Sequence, residues 1–156
     1  MLGFALRGLA AGAAGTTALN AATYADMAIR GRSASSMPET AVEKLAGQTG
    51  YSIPGEGEER QNRLSGLGAL SGIATGATAG VAASMLGPVV RRLPLPVAAV
   101  LVGGLAMAGS DVPMTQLGLT DPKSWTSADW LSDALPHLAF GAAAVWTLRA
   151  LGRSRA

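Results

Sequence analysis

The sequence predicts an all-α integral membrane protein, a four-helix bundle with short amphipathic helices in its outer loops. Three observations carry this. Only 14% of the 156 residues are charged, against about 25% in an ordinary soluble domain. Mean hydropathy is +0.31, too high for a disordered chain. The apolar residues also gather into four long runs, each near the ~20 residues a spanning helix needs.

The first run is expected to span about 4–28, with Arg7 snorkelling. Its centre (Thr16, Thr17, Asn20, Thr23) is small and polar, unlike the Leu-rich core of a cleaved leader. A second span is placed at about 64–88. A third, at 93–110, opens on Pro94 and Pro96, which suit a first helical turn. The fourth is placed at 134–151, with Arg149 snorkelling at its end. The whole chain, 1–156, then forms one membrane domain with outer loops at 31–63 and 111–133.

Four spans put both termini on one side, with Arg7, Arg91, Arg92, Arg149, Arg153 and Arg155 and no acid. Arg91 and Arg92 fall in a very short loop, which favours cytoplasmic termini by the positive-inside rule. The first loop holds Ser36 and Glu39 at capping-box spacing, then Met37, Ala41 and Leu45. A short amphipathic helix is expected there, lying on the membrane or the bundle, with Gly47 as its stop. In the second loop Thr126 and Asp129 offer another box. Trp125 and Trp130, like Tyr24 on the first span, are expected as interfacial anchors.

Small-residue spacing is the strongest pattern. Gly68, Gly72, Gly76 and Gly80 recur every four residues, as do Gly8, Gly12, Thr16 and Asn20. Four residues advance a helix by about 400°, so each set forms a nearly straight groove where another helix can come close. We expect the first two spans to pack through these glycine-zipper faces, with Asn20 as a hydrogen-bonding member. Gly104 and Ala108 offer a weaker version in the third span.

Polar residues at the helix ends are few. Asp26 and Arg30 suit an i, i+4 ion pair. Asp133 and His137 share that spacing, and His137 titrates near neutral pH by default, so they are the candidates for pH sensing or proton handling. Asp111, Asp121, Asp129 and Asp133 lie on the outer side, but their spacing matches no cation loop and they read as caps and turns.

The chemistry of the chain is otherwise sparse. It has no cysteine and one histidine, so no thiol catalysis or multi-histidine metal site is expected. No nucleophile elbow, P-loop or zinc-protease motif occurs, and no catalytic residue, metal or cofactor is assigned. Basic residues are not interleaved with aromatics, so nucleic acid is not an expected partner.

Leu117–Pro122 and Trp130–His137 resemble segments of small uncharacterised bacterial inner-membrane proteins. The stretch Ala18–Asn20 to Met27–Arg32 is similar to members from high-GC actinobacteria. The C-terminal third resembles the YagU-type inner-membrane family, linked to acid resistance. The likeness implies a multi-span inner-membrane protein, draws attention to Asp121 and His137, and implies no catalytic residue. The expected function is a non-enzymatic accessory subunit of a membrane complex, its partners being lipids and another membrane protein or itself. A small self-assembled transport or proton-handling protein, and a lipid- or quinone-binding one, are the alternatives.

Overall fold

A computed structural model describes residues 2–153. Arg155 and the side chain of Arg153, both used in the orientation argument, lie outside what is described. Among the described residues there are six α-helices, one 3-10 turn at Pro122–Ser124 and no strand. The helices are α1 (Leu2–Arg30), α2 (Met37–Gln48), α3 (Gly57–Met85), α4 (Gly87–Arg92), α5 (Leu95–Gln116) and α6 (Ser127–Arg153).

Three of them, α3, α5 and α6, are long and apolar enough to cross a membrane. The expected first span differs. Helix α1 matches α3 in length at 29 residues, but Arg7, Asn20, Asp26 and four threonines or tyrosines dilute its apolar content. The expectation of four comparable spans in a simple four-helix bundle is corrected accordingly.

Helix bounds also shift. The second expected span splits, because Leu86 ends α3 and Gly87-Pro88 opens the six-residue α4. Helix α5 runs on through Pro113 to Gln116. Helix α6 begins at Ser127 and passes Pro136 without a break. The second outer loop thus shrinks to 117–126.

The two predicted capping boxes part ways. Around Thr126 the box forms: its amide donates to Asp129 Oδ2 at 2.8 Å, and the Asp129 amide donates back to Thr126 Oγ1 at 3.2 Å. Ser36 makes no side-chain cap; Ser35 Oγ accepts from the Met37 amide instead. Helix α2 lies against α3, with Glu43 paired to Arg60 at 2.5 Å and Ser65 Oγ donating to Glu39 Oε1 at 3.3 Å. Its stop is Gly50, which takes φ +74°, and not Gly47.

The long helices pack in the spatial order α3, α1, α6, α5, with close contacts between each successive pair. Helices α3 and α5, at the two ends of that order, touch only lightly. The core is built from small and medium residues (Ala11, Ala83, Val90, Ala98, Val102, Ala144, Val145) around one large side chain, Phe140. Small residues let helix backbones approach, which matters in lipid, where the hydrophobic effect does not drive helices together.

Candidate functional site

The α1–α3 contact runs through the glycine faces. A Cβ on Gly8 would stand 2.6 Å from Val81 Cα, and one on Gly12 would stand 2.8 Å from Ala77 Cα. A Cβ on Gly80 would strike the Gly12 backbone, and one on Gly76 the Thr16 hydroxyl. Real Cβ atoms do not come this close, so these positions require glycine. Gly68 faces Pro38 and Glu39 of α2 instead of α1; a Cβ on it would stand 3.2 Å from Pro38 Cβ. Gly72 has open space around it, and Asn20 is exposed.

Two further crossings were not legible as such. A Cβ on Gly141 of α6 would stand 2.7 Å from Gly103 N of α5, and one on Gly103 would stand 2.5 Å from His137 O. The α5 contact therefore uses Gly103, whereas Gly104 points to open space. The signal was the Ala99 and Gly103 pair at four-residue spacing. Gly15 of α1 takes the Phe140 ring of α6, 2.7 Å from where its Cβ would be.

At the end of the bundle where the α5–α6 loop lies, α5 and α6 bring four polar side chains together. His137 Nδ1 lies 2.8 Å from Asp133 O and 3.4 Å from Asp133 Oδ1. Ser110 Oγ lies 3.5 Å from His137 Nε2 and 3.2 Å from Asp111 Oδ1, and donates to Met107 O at 2.9 Å. The Asp111 carboxyl faces that of Asp133. Asp133 Oδ2 is buried with no hydrogen-bond partner among the described residues. With Nδ1–H donated to the Asp133 carbonyl, Nε2 faces Ser110 Oγ as an acceptor when the ring is neutral and as a donor when it is protonated. The arrangement can hold a proton and pass it over a few ångströms between two carboxyls and an imidazole. Beneath it, the α5–α6 contact is made of Val102, Gly103, Ala106, Phe140 and Gly141, which offer no further proton carrier.

The expected pair Asp133 and His137 is thus joined by Ser110 and Asp111, an acid that reads in sequence as a loop residue. Asp121 and Asp129 are occupied as caps: Asp121 accepts from the Lys123 amide at 3.0 Å, and Asp129 from Thr126. No group of three acids or histidines is placed to hold a metal ion among the described residues.

The residues expected as interfacial anchors lie at the same end. Trp125 and Trp130 meet edge to face with centroids 4.9 Å apart, and Trp125 Nε1 donates to Thr120 Oγ1 at 2.8 Å. Tyr24 is exposed. Asp26 pairs with Arg30 at 2.7 Å and also with Arg32 at 2.5 Å, while Arg30 reaches Ser132 of α6. At the opposite end Arg149 does not snorkel. It donates to Val90 O at 2.8 Å and Leu93 O at 2.6 Å, closing the end of α4.

Between α3 and α5 a cleft of about 390 Å³ opens at the side of the molecule. Ala74, Thr75, Thr78 and Ala82 form one wall, Leu105 and Gly109 the other. Thr75 and Thr78 donate to Ser71 O and Ala74 O of their own helix, so their methyl groups dominate the wall.

Comparison with protein-family models, with curated proteins and with solved structures gave no match.

Proposed function

We propose that this chain is a small non-enzymatic protein of the bacterial inner membrane, with cytoplasmic termini, α1 crossing beside the other three long helices. It serves as an accessory subunit, and its α3–α5 cleft receives a transmembrane helix of a partner protein. One observation carries this: α3 packs on α1 and α5 on α6, but α3 and α5 stay apart from each other, along walls made mostly of small residues. Gly109 on that wall has nothing within 4 Å of its would-be Cβ. In lipid such a surface gains packing only when a helix approaches it closely. An acyl chain or quinone in the cleft is the competing occupant.

The test is purification of the tagged full chain from native membranes in mild detergent, followed by native mass spectrometry. A stoichiometric partner that is lost with Thr78→Trp, which fills the cleft, supports the reading. A lone monomer carrying lipid or quinone overturns it.

A second reading, proton handling, is favoured by the Ser110, Asp111, Asp133 and His137 cluster, since ionisable residues within apolar spans are functional by default. It requires proton flux in proteoliposomes that falls with His137→Ala. Absence of flux from the unaltered chain removes it.

A further inference from the structure

The end of the molecule opposite the acidic cluster carries a second cavity, of about 280 Å³, where α1, α3, α4 and α6 meet. Phe4, Met85 and Leu148 give it an apolar wall, and Ser84, Arg7 and Arg91 a polar one. Arg7 is half-buried, and Arg91 is folded back, its Nη1 3.3 Å from where a Cβ on Gly87 would sit. Neither guanidinium forms an ion pair or hydrogen bond among the described residues, and none of the ten acids lines the cavity. Arg92, next to Arg91 in the last turn of α4, and Arg149, bonded to Val90 O and Leu93 O, add two further positive charges to this end. The Ser84 hydroxyl donates to Phe4 O at 3.2 Å, tying the wall of α3 to α1.

Two arginines without counter-charge, over an apolar floor between helices, have the chemistry of a site for a phosphate that carries acyl chains. Basic pockets between membrane helices on the cytoplasmic side bind anionic lipid head groups in this way. Arginine suits the role because its planar fork binds phosphate oxygens in pairs. Met85, two-thirds exposed at the cavity mouth, continues the apolar surface outward, where a chain would lie.

We propose that Arg7 and Arg91 bind the phosphate of an anionic phospholipid, whose acyl chains lie along Phe4 and Met85. The site rests on the membrane reading above but needs no partner protein. The experiment presents the purified full chain with phosphatidylglycerol and phosphatidylcholine in equal amounts, and native mass spectrometry counts the retained lipid. Phosphatidylglycerol is preferred. Arg7→Gln or Arg91→Gln each lowers that preference about fivefold, and the double variant about thirtyfold. Arg7→Lys with Arg91→Lys keeps the charge but loses the paired contacts, so its preference falls between those of the unaltered chain and the double glutamine variant, and Arg60→Gln, at the other end, keeps all of it. Absence of a preference, its survival in the double glutamine variant, or displacement of the lipid by inorganic phosphate overturns the proposal. Alkaline extraction of membranes separates the two ideas. A chain washed off the membrane sinks the membrane reading, whereas a retained chain with no lipid preference sinks only this site.

Discussion

Gly12 of α1 and Gly80 of α3 meet backbone to backbone, with no room for a side chain on either. Gly80→Val is therefore expected to separate the two helices. Overpacking a tight contact costs about 1–3 kcal/mol, and backbone is the obstacle here, so the upper end applies. Gly72→Val, eight residues away on the same helix, meets open space and is expected to change stability little. Thermal unfolding of both variants in detergent checks the contrast.

Phe140 is the largest fully buried side chain, and its ring lies on Gly15. Phe140→Ala removes the one aromatic ring from a core otherwise built of alanine, valine and Leu148, whose side chains are too short to fill the space it leaves. The expected loss is about 3–5 kcal/mol, read as a fall in the denaturant or thermal midpoint. Retention of the midpoint would show that α1 and α6 close over the gap.

Arg149 holds the carbonyls of Val90 and Leu93 at 2.8 and 2.6 Å. Arg149→Gln is expected to cost about 1.5–3 kcal/mol, the range for hydrogen bonds that involve a charged group. The effect is local. Hydrogen exchange at 87–95 rises, while exchange along α1 stays as it was.

Absence of cysteine makes the chain a clean background for labelling. With cytoplasmic termini, Lys44→Cys in α2 reacts with an impermeant maleimide added to intact cells, and Arg92→Cys reacts only after lysis. The reverse pattern would invert the orientation.

Much of the scaffold was legible in the sequence, because two patterns dominate it. Apolar runs marked the helices, and the four-residue spacing of Gly8, Gly12, Gly76 and Gly80 marked where α1 and α3 touch. Helix ends were less legible. Pro113 and Pro136 read as boundaries, yet both lie inside helices, Pro113 three residues before the end of α5 and Pro136 nine residues into α6; each removes one backbone donor, and the helices continue past it. Spacing alone does not say which neighbour a groove meets. Gly68 shares its stripe with Gly76 but faces α2, because α2 folds back on that turn. The Ser110, Asp111, Asp133 and His137 cluster was half legible. Asp133 and His137 share one helix, so their spacing shows in sequence. Ser110 and Asp111 come from α5, and only the close crossing at Gly103 and Gly141 places them there.

Site-specific photo-crosslinking in native membranes tests the central claim most directly. A small aliphatic diazirine amino acid, no bulkier than leucine and so too small to fill the cleft as tryptophan does, is placed at Thr78, inside the α3–α5 cleft, and in a second chain at Trp146, exposed on α6. The account predicts one discrete protein adduct from position 78 and none from position 146. Lipid adducts alone at 78, or the same adducts from both positions, would contradict it.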